Sequence, residues 1–323
     1  MTRVHIYGAA GYAAAEVLRL LRAHRAVELG ALESRSHAGE PIGAHAPLLR
    51  TLPRRFDGEG AVLAQAQRGE CAILAGNSGA ARELAPQLLQ RGVRVIDLSG
   101  DFRLQPSIGT YGFPERYRDA IAVADLVANP GCYPVATLLA TLPAVRISGI
   151  AQIVVDAKSG ITGAGRTPAV GSLFAEVAGE IRAYGLDGHR HEPEILQELH
   201  AVAAGVPLAF TPHVVPIVRG MLVDAYCIFG RVLSEECVAA AFSAEYAGNA
   251  FVRVLPPGEA PSIRAVVGTN DAEIAYSVHG NVVRSICAID NLGKGAAGQA
   301  IQNLNIMYDY PEEMGFDARA IAG

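Results

Sequence analysis

The chain has 323 residues, half of them apolar and 18% charged, with a formal net charge of −5. That length exceeds what one hydrophobic core usually organises, so two domains are expected, and the apolar share excludes a disordered chain. Both charge signs are scattered along the sequence with no long basic run, which argues against nucleic acid or an anionic membrane as a partner.

Val4–Tyr7 reads as a strand, Tyr12–His24 as a helix and Val27–Leu32 as a second strand. Cys71–Ala75 reads as a third strand, Ala80–Arg91 as a helix with Leu84, Leu88 and Leu89 on one face, and Val93–Leu98 as a fourth strand. Pro86 is expected to kink or delay that helix. Asp125–Ala128 reads as a further strand, leading into a helix that carries Val135, Leu138, Leu139 and Leu142. Alternation of this kind predicts an α/β fold, a Rossmann-type doubly wound parallel sheet that binds ligands at the carboxyl ends of its strands.

The pattern changes near residue 150, where strands outnumber helices. Ile153–Asp156, Leu222–Phe229, Val252–Leu255 and Val282–Asp290 read as strands of a second, α+β domain with a mixed or antiparallel sheet. The tail from Leu292 turns helical and glycine-rich and is expected to pack back onto the first domain. The resulting division is 1–131 with 291–323 for the nucleotide-binding domain, and 132–290 for the catalytic, substrate-binding and oligomerisation domain. The sequence has no apolar run of roughly 18 residues, so no membrane span is expected. Met1 leads straight into a strand pattern without a signal peptide, and a cytoplasmic protein is expected. Five cysteines, an odd number with no CxxC pair, argue against disulfides and structural zinc.

Gly8-Ala9-Ala10-Gly11 follows the first strand and opens the first helix. Two glycines let the backbone approach a pyrophosphate, and small Ala14 permits close helix packing. Ile6 stands where a full G-x-G-x-x-G would have its first glycine, so a plain strand–helix turn is the alternative. The second strand ends at Glu33, followed by Ser34, Arg35 and Ser36, an arginine flanked by two hydroxyls that suits a 2′-phosphate and hence NADP(H). Glu33 would be the ribose ligand of an NAD enzyme, but its alternation with Leu32 turns it elsewhere. Trp is absent, which rules out nicotinamide stacking on an indole.

Asn129-Pro130-Gly131-Cys132-Tyr133-Pro134 places Cys132 at a helix N-terminus, where the dipole and free N–H groups favour a thiolate and could serve an oxyanion. Cys71, Cys227, Cys237 and Cys287 lie within apolar strands or a helix and read as structural.

GAAGY from Gly8, DLSGDFR from Asp97, YGFPE from Tyr111, NPGCYP around Cys132, DAKSGITGAGR from Asp156, HRHEPEI from His189, TPHVVPIVRG from Thr211 and DNLGKGAAGQAIQNLN from Asp290 together resemble the N-acetyl-γ-glutamyl-phosphate reductase family. The chain departs from the family's usual residues at Ala13, Ala14 and Val135, and in the proline-free loop Ala75–Ser78. The resemblance implies two domains like those of aspartate-semialdehyde dehydrogenase, and reduction of an acyl phosphate through a thioester on Cys132 with NADPH. The small-molecule acyl phosphate and phosphate would be its only ligands besides the cofactor, and a homodimer or homotetramer is expected.

The resemblance makes His189 and His191 substrate-contacting, with His191 favoured as the acid/base. A metal on this H-x-H is discounted for want of further ligand spacing. His213 is read either as a substrate contact or as a structural histidine at a strand start. Glu194 is placed at the substrate, and Arg219 and Arg166 are the expected partners of its carboxylate or phosphate, unless they form ordinary ion pairs. Ser159 and Gly160 resemble the family's nicotinamide-side contacts, and Asn291 is a candidate for the carboxamide. Two rivals remain: a reductase of carrier-protein-linked aminoadipyl or glutamyl phosphate, which would need a basic docking rim, and a non-catalytic NADP-binding redox sensor, which has no use for these histidines and arginines.

Overall fold

The computed structural model describes residues 1–316, which fall into two compact units, 1–130 with 296–316 and 131–295. In chain order the first unit contains β1 (Thr2–Tyr7), α1 (Tyr12–Leu21), β2 (Val27–Glu33), α2 (Ile42–His45), α3 (Ala61–Gln65), β3 (Cys71–Leu74), α4 (Ala80–Gln90), β4 (Arg94–Asp97), β5 (Thr110–Tyr111), α5 (Pro114–Ala122) and β6 (Leu126–Ala128). The strands form one sheet in the order β2-β1-β3-β4-β6-β5, with every pairing parallel. This is the doubly wound sheet that the strand–helix alternation predicts.

Successive side chains of a strand point to opposite faces, so a sheet covered on both sides needs apolar residues at every position. Cys71 and Ile73 of β3 join one core with Val17 and Leu18 of α1, while Ala72 and Leu74 join the other with Ala85 and Leu88 of α4. α4 starts at Ala80, ahead of Pro86, and runs on through it to Gln90, so the proline does not delay the helix.

His24 ties the turn after α1 into this unit. Its Nδ1 accepts from the Ala26 N–H at 3.3 Å, leaving the proton on Nε2, which donates to Asn305 Oδ1 at 2.8 Å. A neutral ring satisfies both partners, and burial holds its pKa below the ordinary 6.5, against the opposing Asn305 bond. The unfolded chain therefore binds the extra proton first as pH falls. The contribution of His24 to stability is complete above pH 6.5 and declines as pH drops through the lowered folded value. Thermal unfolding followed between pH 7.5 and pH 5 should show a shallower loss in His24→Gln than in the parent. Equal slopes would refute this role.

The second unit contains α6 (Cys132–Val145), β7 (Ile150–Gly160), α7 (Phe174–Val177), β8 (Arg182–Ala183), α8 (Glu192–His200), β9 (Leu208–Val215), β10 (Met221–Phe229), α9 (Glu235–Tyr246), β11 (Val252–Val254), α10 (Ile263–Val266), β12 (Ala272–His279) and β13 (Val282–Ile289). Its sheet runs β11-β12-β13-β10-β7-β9-β8 and is mixed, since β7 pairs β9 and β11 pairs β12 in parallel. In β10, Met221, Val223, Ala225, Cys227 and Phe229 are buried, and α6 packs across β10 and β13. Leu222, Asp224, Tyr226 and Ile228 alternate with them on the opposite face and are only half-buried. β8, β9 and β12 go beyond the strands read from sequence.

A π-helical turn, Gly293–Ala297, leads into α11 (Gly298–Met307). Ala300, Ile301 and Leu304 of α11 belong to the core around α1, so the tail rejoins the first unit. Residues 317–323, part of the same tail in the sequence reading, lie outside the described residues.

Candidate active site

The first unit offers a nucleotide cradle. Gly8 has φ +74°, and a Cβ there would lie 2.8 Å from the backbone of Ala75 and Gly76 at the end of β3. The Ala9 N–H is bound to Glu33 O at 2.9 Å, and Gly11 is the N-cap of α1, with no side-chain cap. Left-handed glycine, close strand tips and an open helix N-terminus form the environment a pyrophosphate needs, so these residues fit a dinucleotide. Gly8→Ala should cost about 2 kcal/mol or more, because left-handed strain adds to a collision with immovable backbone. Chemical denaturation and NADPH fluorescence titration would check it, and an unchanged midpoint with normal binding would refute it.

At the tip of β2, the Glu33 carboxylate accepts from the Gly60 and Val62 N–H groups, both at 2.9 Å, and so caps α3. That commitment removes it as a ribose ligand. Ser34 is buried, whereas Arg35 and Ser36 are exposed; Arg35 Nη1 stands 3.9 Å from Glu59.

In the second unit, Cys132 is the first residue of α6 and partly exposed, and Gly131 is the N-cap. The Gly131 N–H donates to Glu194 Oε1 at 2.9 Å, and Glu194 is 2% exposed. Glu194 therefore braces the turn that presents the thiol. From the other side, a Cβ on Gly295 would fall 2.7 Å from Cys132 Cβ, so only glycine allows this approach.

Around Tyr133 stand His189 and His191, with ring centroids at 5.4 and 6.0 Å and 4.9 Å between the two imidazoles. His189 Nδ1 accepts the His191 N–H at 3.1 Å, which leaves its proton on Nε2. Burial, then the charge of Arg190, holds the His189 pKa below its ordinary value, so the ring is neutral at pH 7. His191 is buried at the N-cap of α8. The Tyr133 hydroxyl donates to His213 O at 3.0 Å and receives the Tyr184 hydroxyl at 3.2 Å. Burial, reinforced by Tyr184, pushes its pKa upward, so Tyr133 stays protonated.

Arg219 grips the fully buried Asp290, Nε to Oδ1 at 3.1 Å and Nη2 to Oδ2 at 2.6 Å. The same carboxylate accepts from Gly268 N–H at 2.6 Å and Leu292 N–H at 3.0 Å. Asn291 accepts the Gly220 N–H at 2.7 Å and donates to Thr162 Oγ1 at 3.0 Å. Ser159 is buried, and a Cβ on Gly160 would meet the Arg219 backbone at 2.9 Å.

Two family models match the chain: a semialdehyde dehydrogenase NAD-binding domain over residues 3–124 and a semialdehyde dehydrogenase dimerisation domain over residues 132–291. Among curated proteins, the chain is 42% identical to N-acetyl-gamma-glutamyl-phosphate reductase of Laribacter hongkongensis and 40% identical to that of Moorella thermoacetica, each over 98% of both chains. The chain belongs to the N-acetyl-γ-glutamyl-phosphate reductase family. Solved structures with the same fold include aspartate semialdehyde dehydrogenase II of Vibrio cholerae, with TM-score 0.76 and 19% identity over 96% of this chain and 98% of that one. Another is aspartate semialdehyde dehydrogenase with NADP from Candida albicans, with TM-score 0.71 and 14% identity over 95% and 98% of the two chains.

Within this reductase family member, the structure brings Cys132, Tyr133, His189, His191 and Glu194 together in one unit. It gives other candidates different duties. Arg219 is an ion-pair partner of Asp290 and not a free anion ligand, and Asn291 has both ends of its amide engaged within the protein. His213 is the sixth of eight residues in β9, not at a strand start, and its Nδ1 lies 3.0 Å from Asp156 Oδ1. Arg166 is exposed in the loop after β7. Asp290 was not singled out by sequence reasoning, although it heads the DNLGKG motif; its role depends on a partner 71 residues away in the chain. Several other motifs serve the first unit. Arg103 of DLSGDFR donates to Asn129 O and Leu98 O, both at 2.8 Å. Asn303 of the tail donates to Asn129 Oδ1 at 3.1 Å and to Gly112 O of YGFPE at 3.0 Å. Among the described residues, no helix is long and apolar enough to cross a membrane.

Proposed function

We propose that the protein reduces N-acetyl-γ-glutamyl phosphate to N-acetylglutamate 5-semialdehyde and phosphate, with Cys132 as the nucleophile and NADPH as the reductant. The observation that supports this reading most is a partly exposed cysteine heading α6, braced by Glu194 and Gly295 and followed by Tyr133, around which two histidines pack.

Cys132 Sγ attacks the acyl carbonyl, the carbon–oxygen bond to phosphate breaks, and a thioester remains on the enzyme. The N-terminal end of the α6 dipole, which carries no side-chain cap, stabilises the oxyanion as it forms. NADPH, when bound, would supply the hydride that reduces the acyl carbon; the carbon–sulfur bond then breaks, freeing the semialdehyde and returning Cys132 Sγ as the thiolate. Gly8, Ala9, Ala10 and Gly11 would hold the pyrophosphate and Ser34, Arg35 and Ser36 the 2′-phosphate, while Ser159 and Gly160 would be the nicotinamide contacts of the second unit. Proton transfer at the substrate oxygen falls to the His189–His191 pair, with His191 buried and His189 presenting Nε2–H. Arg166, on its exposed loop, and His213 complete the substrate region, while Glu194, Arg219 and Asn291 act by positioning. The unit of residues 131–295 is the catalytic and oligomerisation domain, that of residues 1–130 with 296–316 the cofactor domain, and the half-buried face of β10 is the surface for a homodimer or homotetramer in the cytoplasm.

The test is NADP reduction by the purified protein given N-acetylglutamate semialdehyde, with and without inorganic phosphate. Phosphate-dependent turnover supports the reading. Binding of NADPH without turnover on this substrate would overturn it and lead to the carrier-linked acyl phosphate.

A further inference from the structure

Beyond Ser36, on the way from β2 to β3, the chain makes an excursion that the reaction does not use. His37, Glu40 and His45, spaced His-x2-Glu-x4-His, converge there until one ligand atom from each lies within 4.8 Å of the others. His45 Nε2 is 2.5 Å from Glu40 Oε2, and His37 Nδ1 is 3.5 Å from Glu40 Oε1. His37 Nδ1 is shielded from solvent and makes no hydrogen bond. The two imidazole rings are tilted against each other with centroids 4.0 Å apart, and Phe56 stands at 6.2 and 5.6 Å from them.

The loop is held in this shape by its backbone. Gly39, with φ +79°, turns the chain. The Gly39 N–H donates to Phe56 O at 2.9 Å, the Phe56 N–H to Glu40 O at 3.0 Å, and the Ile42 N–H to Arg54 O at 3.1 Å. Ile42 is fully buried and anchors α2, which carries His45 back over Glu40. The three donors thus sit on a loop ordered by main-chain bonds.

From this geometry we propose that His37, Glu40 and His45 bind a divalent transition-metal ion of the zinc class, which pins the loop following β2. Two imidazoles and one carboxylate are a borderline donor set, too poor in oxygen for calcium or magnesium. Metal–ligand bonds of about 2.0–2.2 Å put neighbouring tetrahedral ligands about 3.3 Å apart. The His37 Nδ1–Glu40 Oε1 separation of 3.5 Å is already close to this, the His45–Glu40 contact at the other carboxylate oxygen must open, and with the ligand atoms all within 4.8 Å of one another the rest is side-chain adjustment. A solvent molecule completes the shell. Ser36 adjoins His37, so the ion would also steady the loop proposed for the 2′-phosphate; metal binding itself does not depend on that reading.

The experiment uses full-length Cys132→Ser protein, so that the nucleophile offers no thiolate to the ion. The chelator-stripped protein is titrated with zinc chloride by calorimetry and with cobalt(II) by visible absorption, alongside the same protein carrying His37→Gln and His45→Gln. We expect one equivalent of zinc, a raised unfolding midpoint, and cobalt d–d bands without a thiolate charge-transfer band. The glutamine variant, folded by circular dichroism, should lose that equivalent and the shift. Absence of stoichiometric zinc binding, or an undiminished equivalent in the glutamine variant, would overturn the proposal.

Discussion

Cys132→Ser is expected to lower kcat by roughly 10⁴-fold or more while leaving NADPH affinity close to that of the parent. A serine hydroxyl at this position keeps the helix N-terminus, the Glu194 brace and the clearance against Gly295, so the architecture of the turn persists. What disappears is a nucleophile that ionises within reach of neutral pH, and with it the thioester that divides the reduction into two accessible steps. The nucleotide cradle at Gly8–Gly11 belongs to the other unit and is unaltered. Steady-state assay of phosphate-dependent NADP reduction, with fluorescence titration of NADPH, gives both quantities. A variant within tenfold of the parent would sink the covalent mechanism.

Arg219→Ala should be the most destabilising single change considered, by about 3–5 kcal/mol. Asp290 is wholly buried, and Arg219, with 20% of its side chain exposed, supplies it with a side-chain counter-charge in bidentate geometry. Removing the guanidinium strands a carboxylate that retains just the Gly268 and Leu292 N–H donors. The damage should reach the nucleophile as well. The Asp290 carbonyl holds the Gly295 N–H at 2.9 Å, and Gly295 is the residue packed against Cys132. Urea unfolding would measure the loss, and adding Asp290→Asn should recover part of it, because the stranded charge is then gone. If the double variant is no more stable than Arg219→Ala, the buried-charge explanation fails.

The first unit was legible in sequence because a parallel sheet buried on both faces writes itself as short unbroken apolar runs, as in Cys71–Leu74. β9 was not, because Thr211, Pro212 and His213 interrupt its apolar pattern and an internal proline argues against a strand. β12 alternates, but only Ala272 and Ile274 of its eight residues are buried, too short a signal to stand out. Cys132 could be singled out because its context is local: a strand, a glycine turn, a helix. Arg219 and Asn291 were assigned to ligands because their protein partners, Asp290 and Gly220, lie 71 residues away in the sequence, beyond any spacing rule. His37, Glu40 and His45 follow neither helical nor strand periodicity; bonds to residues 54–56 fold them together.

The distribution of thiols has a practical corollary for chemical labelling. Cys71, Cys227 and Cys287 are buried, and burial pushes Cys71 and Cys227 up to about 12, so neither forms an alkylatable thiolate under native conditions. Only Cys132 and the exposed Cys237 remain open to an electrophile. With Cys237→Ser in place, a single iodoacetamide adduct on the intact protein becomes a count of competent active sites, and a substrate-shaped electrophile has one residue to find.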